Sequence, residues 1–262
     1  MDTFETITCD IAGPVATVTL NQPAARNALS ARMVQELLTC FTALAGDEGQ
    51  DVRVAVLQAA GSVFCAGGDV RDLARAGATA EDGAALARLD TLLRAVNEAP
   101  QVVVARIQGP ALGGGFGLVC VSDIALAGES AAFALPEVRL GIVPAVISPF
   151  VVARVGLTRA RQLMLTGARI GAAEARELGI VHEACLDDEL DDFVDAAVRD
   201  VLRCAPQALR ACKRLLFTLA GPPDDTLTSR VDLLNRLRAG EEAQQGIRAF
   251  LAKQPAPWAP QP

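Results

Sequence analysis

The segment that most restricts how this chain folds is Gly109–Cys120, which carries three successive glycines at positions 113–115. It follows Val102–Ile107, an apolar run typical of a buried strand, and it precedes an apolar run typical of a buried helix. A helix that begins at the glycines directs unpaired N–H groups at whatever lies above them, and a developing negative charge is stabilised at such a place. From this segment alone, a tight strand-to-helix turn that uses glycine for packing explains the pattern equally well.

Strand-like and helix-like patterns alternate in the first part of the chain. Alternating strand patterns flank Gly13–Pro14, and a further strand is predicted at Val52–Leu57. Ser30 stands where an N-cap is expected for a helix over Met33–Ala45. Ala84–Asn97 has the apolar spacing of an amphipathic helix.

The order of these patterns predicts an α/β protein. Strand–helix repeats come first, and the segments from Thr158 onward are predicted to be helices only. We therefore expect an α/β core domain over residues 1–195 and a helical C-terminal region over residues 196–262. A length of 262 residues and an apolar content of 51% suffice for a sizeable core.

Charge and hydropathy argue against two classes of partner, nucleic acids and membranes. The formal net charge of −7 argues against a nucleic-acid surface. Met1–Glu5 lacks the basic and apolar pattern of a signal peptide, and the apolar runs are too short to cross a bilayer. The expectation is a cytoplasmic protein with no membrane partner and no nucleic-acid partner.

Cysteine and histidine usage favours neither a metal site nor disulfides. The cysteines are odd in number and form no C-x-x-C pair, so we expect them to be small buried apolar side chains in a reducing compartment. They are Cys9, Cys40, Cys65, Cys120, Cys185, Cys204 and Cys212. His182 is the only histidine, and no metal is predicted. The sequence has no G-x-S-x-G and no phosphate-binding-loop motif, which disfavours a serine hydrolase or an NTPase.

Four segments in a fixed order carry a resemblance to a known family. They are Asn21–Leu29, Phe64–Val70, Gly109–Gly115 and Leu135–Pro144. Together they resemble the crotonase family, also called the enoyl-CoA hydratase/isomerase family, over nearly the whole chain. The resemblance implies an α/β crotonase spiral of ββα units in two sheets, with a helical C-terminal part that mediates trimerisation. It also implies an acyl-CoA substrate, no separate cofactor because coenzyme A is part of the substrate, and a homotrimer or a dimer of trimers.

The resemblance assigns roles to individual residues. Gly68 and Gly114 would donate backbone N–H groups to the thioester oxygen, and Glu137 would be the catalytic acid/base. Glu137 follows Pro136 in an apolar segment, so burial is expected to raise its pKa. Residues implied to contact the substrate, mainly its CoA part, are Ala24, Arg26, Ala66, Asp69, Val70, Gly117, Pro136 and Lys253. Asp69 would also brace the oxyanion loop, and Lys253 would reach CoA bound mainly to a neighbouring subunit.

The sequence departs from the family pattern at Gly117. Hydratases of the family usually carry a second glutamate two residues after the last glycine of Gly113–Gly115, and Gly117 stands there. A single carboxylate that removes and returns a proton suits double-bond isomerisation. However, Pro144–Val152 resembles bacterial hydratases of 3-methylglutaconyl-CoA or isohexenylglutaconyl-CoA. In that case, a substrate carboxylate or an ordered water is hypothesised to fill the gap at Gly117.

The function expected from the resemblance is therefore that of an enoyl-CoA hydratase, a lyase, acting on a branched or carboxylated enoyl chain with Glu137 as acid/base. The enzymatic alternative is a Δ3-Δ2-enoyl-CoA isomerase that uses Glu137 alone. A third possibility is a crotonase-fold protein that binds CoA esters or RNA without catalysis. The presence of Glu137 with both oxyanion glycines weighs against that third possibility, and the acidic composition weighs against RNA.

Overall fold

The computed structural model describes residues 4–68, 80–220 and 227–254, so the predictions for Asp69 and Val70 lie outside the described residues. Its strands are β1 (Ile7–Ala12), β2 (Val15–Leu20), β3 (Val54–Ala59), β4 (Val102–Ile107), β5 (Ala111–Leu112), β6 (Ile124–Gly128), β7 (Ala132–Ala134), β8 (Ile170–Gly171) and β9 (Glu183–Cys185). The described helices are α1 (Ala31–Ala45), α2 (Ala80–Asn97), α3 (Gly114–Cys120), α4 (Ser148–Thr166), α5 (Ala172–Glu177), α6 (Leu190–Leu202), α7 (Pro206–Ala220), α8 (Leu227–Ala239) and α9 (Glu241–Leu251). The predicted alternation of strands and helices is confirmed. The expectation of helices only from Thr158 onward is wrong, because β8 and β9 lie in that part of the chain and β9 pairs with β6.

The main sheet has six strands in the order β1-β2-β3-β4-β6-β9. The first pair is the predicted hairpin, and Gly13 takes a positive φ of 57° at its turn. The remaining pairs are parallel. Parallel strands are covered on both faces, which explains why Val54–Leu57 is buried at every position.

A second, three-stranded sheet has the order β5-β7-β8. Its strand β5 also forms a bridge to the loop after β3, between Cys65 and Ala111. Cys65 N–H donates to Pro110 O at 3.0 Å, and Leu112 N–H donates to Cys65 O at 2.9 Å. These bonds hold the loop that carries Gly68 against the glycine turn at the start of α3.

Helices cover both faces of the main sheet. The Ser30 N-cap prediction is confirmed, because Ser30 Oγ accepts a hydrogen bond from Met33 N at 3.2 Å. On the opposite face, Leu190, Val194 and Val201 of α6 pack against strands β3, β4 and β6. The predicted boundary at residue 195 falls inside this helix, which packs on the sheet over its whole length.

Helix α4 begins ten residues before the predicted Thr158, at Ser148. Pro149 lies in its first turn, where a missing N–H costs no hydrogen bond. Gly156 interrupts the helix with φ 74° and ψ 163°. The helix was not predicted from Ser148 because prolines and glycine disfavour helices. In the structure, Pro149 lies in the first turn and Gly156 at the interruption, and both positions accommodate these residues.

The two C-terminal helices of the described chain lie over the segment that carries Glu137. Leu234, Ala243 and Ile247 of α8 and α9 are buried against Leu140 and Ile142. Helix α9 contacts the 3-10 turn Pro136–Leu140, and α8 contacts α2. No described helix is long and apolar enough to cross a membrane.

A buried carboxylate ties the N-terminal strand to α1. Glu36 is 6% exposed and accepts hydrogen bonds from Thr6 N at 2.8 Å, Thr6 Oγ1 at 2.6 Å and Arg32 Nε at 2.6 Å. Burial alone would raise the pKa of Glu36, but the hydrogen bonds from Thr6 and Arg32 outweigh it and lower the pKa to about 2. The ionised carboxylate therefore stabilises the folded chain.

We expect Glu36→Gln to lower the free energy of unfolding at pH 7 by about 3 kcal/mol, since the carboxyl pKa is about 4.3 in the unfolded chain and about 2 in the folded one. Because the folded-state pKa is the lower one, this contribution is present above the unfolded pKa and disappears as pH falls toward 2. Urea unfolding at pH 7 and pH 3.5 checks it. Glu5→Gln, which removes an exposed carboxylate on the same arginine, is the control. Equal losses at both pH values in Glu36→Gln would contradict the assignment.

Candidate active site

Two cavities meet at Gly68. An outer cavity of about 730 Å³ is lined by the loop after β2, the turn Pro136–Leu140 and the end of α9. An inner cavity of about 100 Å³ is lined by Glu137, Gly114 and apolar side chains. Gly68 lines both cavities. A molecule that occupies both must pass this glycine.

The backbone N–H groups of Gly68 and Gly114 open onto the inner cavity without an acceptor from the described residues. Gly114 is the first residue of α3, where helix N–H groups have no partner within the helix. A Cβ built on Gly114 would lie 3.8 Å from Gly68 N, so the two donors are close neighbours. Gly113 sets the turn with a positive φ of 49°, and its N–H donates to Ala134 O at 3.0 Å. The pair has the character of an oxyanion hole.

Glu137 lies beside this pair, in the 3-10 turn that follows β7. Its Oε1 is 3.0 Å from the position that a Cβ on Gly113 would take. Its Oε2 is buried and has no hydrogen-bond partner among the described residues. Burial raises the pKa of Glu137 to about 7, although a hydrogen bond from its own backbone opposes the shift. A carboxyl group with this pKa is well matched to accept and return a proton near neutral pH.

Arginines line the outer cavity. Arg26, Arg139 and Arg169 lie on its walls, and no described lining residue is acidic. Arg139 Nε donates to Thr166 O at 3.1 Å and packs against Gly167, which fixes its side chain at the rim. Three cations in a chain of net charge −7 favour an anionic ligand at this place.

The outer cavity contains some of the residues predicted to contact the substrate. Ala24, Arg26, Ala66 and Pro136 all line it. Lys253 does not, although Phe250 and Leu251 of the same chain do. Sequence reasoning missed Arg139 and Arg169. Arg139 stands two residues after Glu137 in a segment already singled out, whereas Arg169 had no comparable signal.

Gly117 lies outside the described lining of both cavities, and no gap exists beside it. A Cβ built on Gly117 would lie 2.6 Å from Ile147 Cγ2 and 3.6 Å from Leu93 Cδ1. The Ile147 side chain therefore occupies the space directly beside the Gly117 Cα, and the hypothesis that a substrate carboxylate or an ordered water takes the place of the second glutamate stays a prediction. Apolar side chains, those of Ile147 and Leu93, therefore surround position 117, where related hydratases usually carry the second glutamate.

The remaining ionisable candidates have structural roles. Asp123, expected to be structural, accepts from Val103 N and pairs with Lys213 Nζ, both at 2.7 Å. His182 Nδ1 accepts from Ala125 N at 3.0 Å, and burial together with the nearby Arg154 lowers its pKa. The described residues contain no group of three side chains that would hold a metal.

The cysteine prediction needs a correction. All seven are free, and Cys40, Cys65 and Cys120 are buried as expected. Cys204 and Cys212, however, are exposed. Cys204 lies just after α6, and Cys212 lies within α7.

Comparison with known proteins agrees with this geometry. Residues 10–261 match the profile of the enoyl-CoA hydratase/isomerase family. The enoyl-CoA hydratase EchA19 of Mycobacterium tuberculosis is 31% identical over 253 residues, which cover 92% of this chain and 91% of that protein. A crystal structure of an enoyl-CoA hydratase from Mycobacterium avium is 35% identical with a TM-score of 0.86, covering 99% of this chain and 100% of the other. Pseudomonas aeruginosa AtuE is 42% identical with a TM-score of 0.79, covering 98% and 100%. The predicted fold is thus confirmed, and the chain belongs to the enoyl-CoA hydratase/isomerase, or crotonase, family.

Proposed function

We propose that the protein is an enoyl-CoA hydratase that adds water across the double bond of an enoyl-CoA thioester. Glu137 is its acid/base, and the N–H groups of Gly68 and Gly114 stabilise the thioester enolate. The observation that carries this proposal is the buried Glu137 Oε2 in one cavity with two backbone donors, none of the three having a hydrogen-bond partner among the described residues. Relatives named as hydratases support the same reaction.

The two cavities fit the two ends of such a substrate. The outer cavity is large and carries Arg26, Arg139 and Arg169, which suits the phosphates of coenzyme A. The inner cavity is small and apolar, which suits the acyl chain. The thioester then lies at Gly68, where the cavities meet, with its oxygen toward the two N–H groups.

A single carboxylate suffices for the proton balance. The ionised Glu137 accepts a proton from water while the water oxygen bonds to Cβ of the enoyl chain. The electrons of the double bond move to the thioester oxygen, where the two N–H groups stabilise them. The resulting acid form of Glu137 then returns that proton to Cα, which restores the thioester and the free carboxylate. A pKa of about 7 suits both halves of this cycle.

Double-bond isomerisation is the second candidate. Ile147 closes the usual position of a second carboxylate, which leaves Glu137 as the sole acidic side chain among the described residues that line the inner cavity. One carboxylate can remove a proton from the carbon next to the thioester and return it two carbons further along. This reaction needs no water.

A spectrophotometric screen separates these functions. With crotonyl-CoA, loss of the conjugated enoyl-thioester absorbance shows hydration. With a 3-enoyl-CoA, a gain of that absorbance shows isomerisation. Turnover of neither substrate, together with tight binding of either CoA ester or RNA at physiological salt, would instead show a binding protein. The expected result is hydration.

Self-association is part of the proposal, as a homotrimer or a dimer of trimers. Leu157 and Leu165 of α4 are 63% and 71% exposed, and Leu215 and Leu216 of α7 are 56% and 60% exposed. Large exposed apolar side chains at this density support an interface between copies. Light scattering after size-exclusion chromatography tests it, and a monomer at micromolar concentration would overturn it.

Replacing both Arg139 and Arg169 with glutamine is expected to raise KM for an enoyl-CoA roughly tenfold, at about 0.5–1 kcal/mol for each exposed charge pair lost. The kcat value should stay unchanged, because neither guanidinium lies at Glu137. A thioester truncated to its pantetheine arm lacks the nucleotide phosphates, so its KM should not change. The double variant Arg161→Gln, Arg203→Gln removes the same charge from exposed sites outside the cavity and serves as control. A rise in KM for the truncated thioester would contradict a phosphate-binding role.

A further inference from the structure

Ile147 lies between the inner cavity and Gly117 of α3. It lines the inner cavity together with Glu137, and it is 3% exposed. Its Cγ2 also lies 2.6 Å, and its Cβ 3.3 Å, from the position that a Cβ on Gly117 would take. The side chain is therefore the wall between the reacting carboxyl group and the surface of α3.

The cavity behind this wall is small and made of hydrocarbon. Apart from Glu137 and the backbone of Gly68 and Gly114, its described lining is apolar, with Leu86, Leu89 and Leu234 among the side chains. An apolar cavity of about 150 Å³ holds benzene, so a volume of about 100 Å³ offers room for roughly four carbon atoms. A carboxylate on the acyl chain would face hydrocarbon there, without a described cation to pair with and next to the Glu137 carboxyl.

We propose that Ile147 determines the acyl-chain specificity of this site, which accepts a short, uncharged enoyl chain. The Ile147 side chain fills the space that the absence of a side chain at Gly117 leaves, so the two residues together set the boundary of the cavity. Shortening the side chain joins the space above Gly117 to the inner cavity and makes room for a longer chain. This inference rests on the proposed function, because it places the acyl group in the inner cavity.

The first test is Ile147→Ala, assayed with straight 2-enoyl-CoA esters of four, six and eight carbons and with 3-methylglutaconyl-CoA. We expect wild type to prefer the four-carbon ester and to reject the carboxylated one. In the variant, the ratio of kcat/KM for eight carbons to that for four carbons should rise about tenfold or more, the scale of added methylenes in a hydrophobic pocket. Ile147→Val, a smaller truncation, should shift the ratio in the same direction by less. The melting temperature of each variant shows whether the fold is kept.

Ile180→Ala is the matched control, since Ile180 is fully buried and does not line either cavity. It removes the same atoms from the core and should leave the chain-length ratio unchanged. A ratio that moves less than about twofold in Ile147→Ala, or equally in both variants, overturns the proposal. Preference of the wild type for the carboxylated ester also overturns it.

A binding measurement keeps this inference separate from the proposed reaction. If wild type turns over no enoyl-CoA, the proposed function fails, and calorimetric titration with butyryl-CoA and octanoyl-CoA still tests Ile147. We then expect the ratio of the two Kd values to shift about tenfold toward octanoyl-CoA in Ile147→Ala. Unchanged ratios in this titration reject the role of Ile147.

The contact between positions 117 and 147 has a test of its own. Gly117→Glu alone should melt well below wild type, because Ile147 Cγ2 stands where its Cβ must go. Combined with Ile147→Ala, the same substitution should lower the melting temperature by less than the sum of the two single effects. Additive effects, or a Gly117→Glu variant as stable as wild type, would show that the two positions are not one unit.

Discussion

Glu137→Gln is expected to lower kcat by about 10²–10⁴-fold, the usual contribution of a positioned acid/base, with little change in KM. The wild-type rate should rise with pH around a midpoint near 7, because the ionised carboxylate accepts the proton from water and burial sets its pKa there. The residual rate of the variant should show no such midpoint. Steady-state kinetics between pH 5 and pH 9 measure both effects. Undiminished activity in the variant would exclude Glu137 as the base.

The same variant should be more stable than wild type at high pH. The folded-state pKa of Glu137, about 7, lies above the unfolded value of about 4.3. Stability that depends on the neutral acid is therefore complete below the unfolded pKa and is lost as pH rises through the folded pKa. Glutamine stays neutral, so unfolding at pH 8 should cost on the order of 1–3 kcal/mol more in the variant. Glu177→Gln, at an exposed position in α5, should change neither rate nor stability.

Gly67→Ala is expected to reduce both stability and activity, whereas Gly68→Ala should keep the stability of wild type. Gly67 has φ of 87°, and a Cβ there would lie 2.7 Å from Leu112 O, a backbone atom that has little freedom to move. The left-handed conformation costs about 1–2 kcal/mol, and the contact adds to it, for a loss of about 2–4 kcal/mol. A Cβ on Gly68 meets no atom of the described residues within 4 Å. Urea unfolding of the two variants makes the comparison.

Catalysis should suffer in Gly67→Ala through the geometry of the donor pair. Leu112 leads directly into Gly113 and Gly114, so a shift of Leu112 O moves one N–H donor relative to the other. A displacement of about 1 Å in an active site is enough to cost about 10²-fold in rate. Full activity in a folded Gly67→Ala variant would show that the spacing of the two donors does not matter.

Local features of the site were predictable because each depends on a few consecutive residues. The Ser30 cap depends on one hydroxyl and one N–H within a helical turn. The glycine turn before α3 depends on the backbone freedom of Gly113. The raised pKa of Glu137 was expected in the same way, from a carboxylate in an apolar segment, whereas its catalytic role was implied by the family resemblance. Two of the four recognised segments, those ending at Val70 and at Gly115, then proved to lie side by side through the Cys65–Ala111 bridge.

Other features depend on residues that are distant in sequence. Nothing in the order of residues indicates that Ile147 fills the space beside Gly117, because a packing contact 30 positions apart exists only in the folded chain. The arginine at 169 reaches the outer cavity because β8 pairs with β7, which places the segment after α4 next to the turn that carries Glu137. The start of α4 at Ser148 was obscured by Pro149, whose place in a first turn is recognisable only once the helix is known.

The contact between Ile147 and Gly117 also bears on how such a chain changes over evolutionary time. Gaining a glutamate at 117 first produces an overpacked protein, whereas losing the isoleucine first produces a cavity that a larger acyl group can fill. Losing the isoleucine first is the more favourable order, since the destabilised intermediate gains a new substrate and therefore keeps a function. Descendants of this sequence are therefore expected to broaden their substrate range before they acquire a second carboxylate. Positions 117 and 147 therefore form an epistatic pair, in which substitution of Ile147 is expected to precede substitution of Gly117.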